Sequence, residues 1–157
     1  NRFNHDDIGW NYRMSNIQAT LGISQLNRIN DIVKIRHSVG LRYYKNLSSN
    51  KNIFIPEPKK NFAQNIYWVV GILIVNKNIK LDAEKVMKKL KVLRIGTRPF
   101  FWPMNKQKIL KKFIANKSNN FLNSEYISKY GFYLPSSLSI KNSDIDYICQ
   151  EVNNILK

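Results

Sequence analysis

The sequence predicts an α+β fold: one long N-terminal helix, then a small, mainly antiparallel sheet with helices packed on it. Three observations predict it. Apolar residues keep mostly helical spacing from Ile17 through Leu21, Leu26, Ile29 and Val33 to Leu47. A β-branched, near-continuous apolar run covers Tyr67 to Val75. Short helical patterns alternate with turn signals through the rest of the chain. At 157 residues there is enough length to close one core. The expected division is 1–50 as an interface loop and connecting helix, and 51–157 as a small α+β domain.

Residues 1–14 are polar and aromatic, broken at Gly9-Trp10-Asn11, and read as an extended loop. Ser15 opens a capping box, because Gln18 three residues on can reach back to the Ser15 amide. One helix is then expected from Asn16 to about Asn46, about 45 Å at 1.5 Å per residue. Gly22 and Gly40 weaken it unless something packs close by, and a neighbouring backbone is expected at Gly22. A helix of this length exceeds what one small core can bury along its side. It reads as a spine between two domains, or as a helix docked on a partner chain.

Ser48-Ser49-Asn50 ends the helix, and Ile53-Phe54-Ile55 forms a short strand closed by Pro56 and Pro58. Tyr67 to Val75 has the pattern of a strand covered on both faces. A turn at Asn76-Lys77-Asn78 leads to a helix capped by Asp82 and ending near Leu90, with Lys88, Lys89 and Lys91 at its negative end. Ile95 to Arg98 is expected as a strand running into the Pro99-Phe100-Phe101-Trp102-Pro103 loop, whose prolines exclude an interior strand or helix. A helix is expected at residues 107–114, and another from Ser124 to Tyr130, stopped by Gly131. After the turn at Leu134-Pro135-Ser136-Ser137, the last helix runs from Asn142 to Leu156 with Ile145, Ile148, Cys149, Val152 and Ile155 on one face.

Composition excludes several classes. Apolar residues make up 43% and aromatics 12%, which is too much for a disordered chain. Cys149 is the only cysteine, so there is no disulfide framework or thiolate metal site, and its apolar neighbours make it a small buried hydrophobe. No charged-then-apolar leader is visible, and the longest apolar run is about half of what a bilayer helix needs. A soluble protein of a reducing, cytoplasmic compartment is expected. The formal charge of +16 invites a nucleic-acid partner. Yet the lysines are spread along the whole chain among many Asn and Ile residues, which A/T-rich codons explain, and no RNA-recognition, zinc-finger or homeodomain pattern is present. Nucleic acid is therefore not the expected partner.

There is no glycine-rich phosphate loop and no His-Glu-x-x-His helix. His37 lies mid-helix among charged residues and reads as a surface residue. His5 shares its loop with Asp6, Asp7, Asn11 and Arg13, a group that reads either as helix-entry turn residues or as a polar binding surface. Asn and Arg suit phosphate and carboxylate oxygens.

The run from His5 to Ala19, His-Asp-Asp-Ile-Gly-Trp-Asn-Tyr-Arg-Met-Ser-Asn-Ile-Gln-Ala, continuing to Gly22 and Gln25-Leu26, resembles a signature of the DegT/DnrJ/EryC1/StrS sugar aminotransferases. Three later segments fit in order. They are Tyr67-Trp68, the run from Gly96 to Met104, which is similar to perosamine-synthetase-like members, and Leu134 to Ser139 with Asp144-Ile145-Asp146. The likeness covers nearly the whole chain and is weakest at 105–123.

The resemblance implies the C-terminal portion of an enzyme of the aspartate-aminotransferase fold type that uses pyridoxal 5'-phosphate (PLP). It implies transfer of an amino group, with glutamate as donor, to a nucleotide-linked 4-keto-6-deoxy sugar for surface polysaccharide biosynthesis, in a homodimer. By the same likeness Asn11 reaches across the dimer to the cofactor phosphate of the neighbouring subunit. Arg13 lies near that shared site, where a guanidinium can grip the donor's carboxylate. His5 sits close by, and Arg98 and Phe100 fall on a loop that faces the sugar nucleotide.

The family's Schiff-base lysine and the acid that pairs with the pyridine nitrogen precede the Asn-Tyr-Arg segment. No lysine here follows the family's Ser-rich lysine motif. No catalytic residue is therefore assigned in this chain, which is expected to be inactive alone. Its first fourteen residues are expected to lack their native setting. The pattern departs at Asn105, where perosamine-type members carry His, at Lys108 or its neighbour in place of Pro, and at Arg94 in place of Gly before Ile95. A left-handed helix stop would strain an arginine, so the local turn is expected to differ. The rival readings are a basic nucleic-acid-binding module, favoured if lysines cluster on one face, and a dimerisation segment built on the long helix.

Overall fold

Ser15 caps the first helix as its spacing to Gln18 requires. The Gln18 N–H donates to Ser15 Oγ at 3.4 Å, and the Ser15 N–H donates to Gln18 Oε1 at 2.8 Å. In the computed structural model, which describes residues 3–76, 78–113 and 121–157, this box starts α1, Asn16–Leu26. The single long helix expected to Asn46 does not form. The chain turns at Asn27 and Arg28, and α2 restarts at Ile29–Leu47. Asn27, Asn30 and Asp31 prefer caps to helix interiors, and α1 buries no residue, so no packing overrides that preference.

Helix α2 buries Val39, Gly40, Tyr43 and Leu47, one face at a spacing of four. The close approach expected at Gly22 occurs instead at Gly40. A Cβ on Gly40 would lie 2.1 Å from the ring of Tyr67, whereas nothing in the described chain lies within 4 Å of one on Gly22. Tyr67 holds φ 50, in the left-handed region, with its N–H donating to Asn65 Oδ1 at 2.8 Å. Burial pushes its hydroxyl up to about 12.

Four strands form one antiparallel sheet: β1 (Ile53–Phe54), β4 (Val70–Ile74), β6 (Gly131–Leu134) and β5 (Arg98–Pro99), in the order β1-β4-β6-β5. Ile53 pairs with Ile74, Ile72 with Phe132, and Pro99 with Phe132. Pro99 is tolerated because β5 is an edge. Val70, Ile72 and Ile74 are buried while Gly71 and Leu73 are half-buried, so β4 alternates and is not sealed equally on both faces. The buried face joins Val39, Tyr43 and Leu47 of α2, Val86 and Leu90 of α3 (Ala83–Val92) and Ile145, Ile148 and Val152 of α5 (Asn142–Ile155) in one core.

The strand expected from Ile95 begins only at Arg98. Ile95 instead closes α3, its N–H donating to Leu90 O at 2.9 Å, and its side chain is buried. Arg94 takes φ 60, so the turn keeps its left-handed stop with an arginine in it, contrary to expectation. That conformation costs roughly 1–2 kcal/mol, which burial of Ile95 offsets.

The helix expected at 107–114 is two 3₁₀ turns, Met104–Lys106 and Lys108–Phe113, separated by an extended Gln107; Ile114 lies outside the described residues, as does Lys77 of the expected 76–78 turn. Neither 3₁₀ turn buries a residue, so no apolar face holds an α-helix there. A hairpin of β2 (Lys59–Lys60) and β3 (Ala63–Gln64) carries no apolar alternation and was not expected. Helix α4 (Leu122–Tyr130) stops at Gly131, which has φ −101 and is needed for the close approach of the Phe100 ring, at 2.5 Å from a Cβ there.

Helices α2 and α5 are locked by side chains. Arg42 Nε donates to Asp146 Oδ1 at 2.8 Å, and Asn46 Nδ2 donates to the same oxygen at 2.8 Å. The Arg42 guanidinium holds the Asp146 carboxyl below the usual carboxylate range. Tyr43, fully buried, donates to Pro135 O at 2.8 Å. Cys149 is buried, as expected, and burial pushes its thiol up to about 12. His37, expected on the surface, is half-buried between α2 and the hairpin, with Nδ1 3.3 Å from Gln64 Nε2.

Gly40→Ala forces a methyl into the Tyr67 ring and is expected to destabilise by about 1–3 kcal/mol. Gly22→Ala meets open space and is expected to raise helix content, by up to about 1 kcal/mol of local helix stability. Thermal melts and circular dichroism of both variants check this; equal effects would contradict it.

Candidate functional site

The loop 3–14 and the aromatic loop 99–106 meet. Phe3 holds φ 66, unfavourable for a bulky residue, and its ring lies 4.7 Å from that of Phe101. Gln107 Nε2 donates to Phe3 O at 2.7 Å, and the His5 N–H donates to Gln107 Oε1 at 3.0 Å. Asp6 adds an exposed ion pair with Lys108 at 3.6 Å, which contributes little. The first residues were expected to lack partners; Phe3, His5 and Asp6 have them, while Asn4 Oδ1 is buried without a hydrogen-bond partner.

Beyond this junction the loop is open. Asn11 and Arg13 are exposed and make no hydrogen bond or ion pair to the described residues. Around them Trp10 is 84% exposed and Tyr12 88%, and Met14, Ile17, Leu21 and Leu26 continue the uncovered apolar surface along α1.

The aromatic loop is held from below. Phe100 stacks on Tyr133 at 4.5 Å between centroids and covers Gly71 and Gly131. Trp102 Nε1 donates to Lys106 O at 3.2 Å. Glu125 of α4 pairs with Lys106 at 2.9 Å and accepts from Asn105 Nδ2 at 3.2 Å, and those donors hold its carboxyl below the usual range. Between loop, α3 and α4 lies a cleft of about 780 Å³ walled by Asn4, Met87, Phe100, Trp102 and Tyr126.

The structure therefore brings His5, through its backbone, to the aromatic loop, and Arg98 and Phe100 together at the sheet edge. Arg98 is exposed on β5, opposite Tyr133. It gives Asn11 and Arg13 no partner within the described chain, leaving a neutral and a cationic donor uncommitted, a set that fits an external phosphate or carboxylate. Two residues escaped the sequence reading. Gln107 is buried, with no sequence signal to mark it. Arg36 donates to the carbonyls of Trp68 at 2.8 Å, Ser136 at 3.3 Å and Tyr67 at 3.4 Å, tying α2 to the one end of the sheet where β4 begins and β6 finishes.

The sequence pattern of the DegT/DnrJ/EryC1/StrS aminotransferases matches residues 1–153. The chain belongs to that family. Within it, the chain is 32% identical over 149 residues to the GDP-perosamine synthase of Escherichia coli O157:H7, covering 95% of this chain and 38% of that protein. The Helicobacter pylori aminotransferase PseC, involved in biosynthesis of pseudoaminic acid, superposes with TM-score 0.77 at 18% identity, over 96% of this chain and 40% of that one. An E coli GDP-4-keto-6-deoxy-D-mannose-3-dehydratase with bound hydrated PLP superposes with TM-score 0.75 at 18% identity, over 95% and 37%. The chain thus spans about two fifths of the length of these proteins. Among the described residues no His/Cys/Asp/Glu group could hold a metal, and no helix is long and apolar enough to cross a membrane.

The Glu125 tie to the aromatic loop has a pH signature. Its carboxyl is depressed in the fold, so its contribution is present above the ordinary value near 4.5 and is lost as pH falls through the lowered value. Glu125→Gln is expected to speed amide exchange at Asn105 and Lys106 at pH 7, with the gap from the unsubstituted protein closing below that value. A gap independent of pH would contradict it.

Proposed function

We propose that this chain forms the C-terminal portion of a PLP-dependent transaminase that moves an amino group, with glutamate as donor, onto a nucleotide-linked 4-keto-6-deoxy sugar, perosamine-synthetase-like, within a homodimer. One observation carries the reading. The family match runs through both the loop with Asn11 and the aromatic loop, and the first of these stands away from the core with its donors and apolar residues uncovered. Such a segment suits a surface supplied by another subunit. PLP, when bound, supplies the electron sink for amino transfer.

In this reading the chain's own residues bind and orient. Asn11 donates its amide to the cofactor phosphate of the neighbouring subunit without adding charge. Arg13 offers a planar two-donor fork to the carboxylate of the amino donor. Arg98 and Phe100 sit on the rim that faces the sugar nucleotide, with Phe100 fixed by Tyr133 and the two glycines beneath it. The bond from the His5 N–H to Gln107, just past the aromatic loop, supports a place for His5 near the shared site. The Asn105 departure from the perosamine-type pattern lies on the same loop and bears on the sugar accepted. The rival reading, a polyanion-binding module, needs the lysines to share one face; they are spread over α2, β2, α3, the 3₁₀ turns and α4.

In the full-length enzyme Asn11→Ala removes one charge-assisted hydrogen bond, about 1.5–3 kcal/mol. PLP affinity is expected to fall about ten- to a hundredfold, with little change in the melting of the isolated 157-residue chain. A titration of PLP by absorbance, with melts of both forms, checks it. Unaltered affinity would remove Asn11 from the cofactor site. A destabilised fold with normal affinity would make Asn11 a turn residue.

A further inference from the structure

Gln107 is the buried polar residue of the described chain, 5% exposed. Its carboxamide does what a strand's peptide group would do for the loop opposite. Oε1 accepts the His5 N–H at 3.0 Å, and Nε2 donates to the Phe3 carbonyl at 2.7 Å. An N–H only donates and a carbonyl only accepts, so this pairing fixes which way the amide points. The contact joins residues over a hundred apart in sequence and lies beside the Phe3–Phe101 ring contact. Phe3 keeps its left-handed φ of 66 there, a conformation that persists where surroundings over-determine it.

Gln107 is itself held. Its N–H donates to Met104 O at 3.2 Å, and its carbonyl accepts from the Leu110 N–H at 3.1 Å. The preceding Asn105 and Lys106 are tied to Glu125 of α4. The segment that carries Asn11 and Arg13 therefore has one end fastened across the fold, His5 on Gln107, and runs at the other into α1 through the Ser15 capping box. Releasing one end multiplies the conformations Asn11 must give up before it meets a ligand, which lowers affinity with no loss of contact.

We infer that Gln107 is a positioning residue that fastens the Asn11 arm to the aromatic loop, so that the phosphate-binding arm and the rim bearing Arg98 and Phe100 are presented as one unit. This rests on the reading of Asn11 proposed above.

The test uses the full-length enzyme with Gln107→Ala, Gln107→Glu and Asn11→Ala, read by amide exchange at His5 and by PLP titration. In Gln107→Ala, His5 exchange is expected to accelerate about tenfold or more, as two net hydrogen bonds are lost, while the core amides of Ile72 and Phe132 keep their rates. PLP affinity falls severalfold, less than in Asn11→Ala. At pH 8 Gln107→Glu keeps an acceptor for the His5 N–H but cannot donate to the Phe3 carbonyl, so its His5 exchange is expected to fall between the unsubstituted protein and the alanine variant. It should regain His5 protection as acid protonates the new side chain, a recovery absent from Gln107→Ala. Unchanged His5 exchange in Gln107→Ala overturns the clamp. A freed His5 with unaltered PLP affinity overturns the positioning role. Unaltered affinity in Asn11→Ala defeats the cofactor reading, so the two failures are told apart.

Discussion

The ring of Tyr67 lies so close to Gly40 that no side chain fits between them, and this contact sets how α2 meets the sheet. Tyr67 accepts a left-handed backbone to reach that place, Asn65 holds its amide, and Arg36 of α2 takes the carbonyls of Tyr67 and Trp68. With α2 seated, Tyr43 reaches Pro135, and Arg42 and Asn46 meet Asp146 of α5. The helix layer over β4 and β6 follows from that seating. So does the direction in which α1 and the Asn11 arm leave the core, since α1 is joined to α2 and buries nothing of its own.

The charge balance shapes what remains. Acidic groups are scarce in a chain of +16, and several are spent on structural pairs: Asp146 with Arg42, Glu125 with Lys106, Glu84 with Lys88. These pairs are partly exposed, and solvent keeps each contribution small, so cohesion comes from the apolar core. The two ends of the molecule therefore differ in kind. The sheet and its helices bury Phe132, Ile72, Leu90 and Ile145 completely, whereas Trp10, Tyr12 and the apolar residues of α1 face outward.

Much of this was legible in the sequence because local chemistry dictated it. The Ser15 and Asp82 caps, the α5 face and the buried Cys149 each follow from residues a few positions apart. The failures have the opposite character. The break at Asn27 depends on α1 finding nothing to pack against. The close approach at Gly40 and not Gly22 depends on Tyr67, twenty-seven positions away. Arg94 adopts a conformation its side chain disfavours because burial of Ile95 compensates. At the site, the residue types of Asn11, Arg13, His5, Arg98 and Phe100 carried the family likeness. Gln107 and Arg36 work through backbone atoms distant in sequence, which leave no pattern in the residues that receive them.

The central claim is that the Asn11 arm serves the cofactor of another subunit. Its most direct measurement is complementation between two full-length variants, Asn11→Ala and one lacking the cofactor-bonding lysine, mixed and reassociated at limiting PLP. If Asn11 acts across the dimer, a mixed dimer contains one site with both an intact lysine and an intact asparagine, and transamination rises above that of either variant alone. If Asn11 acts within its own subunit, no mixed dimer contains an intact site. Activity no higher than the sum of the separate variants would contradict the account.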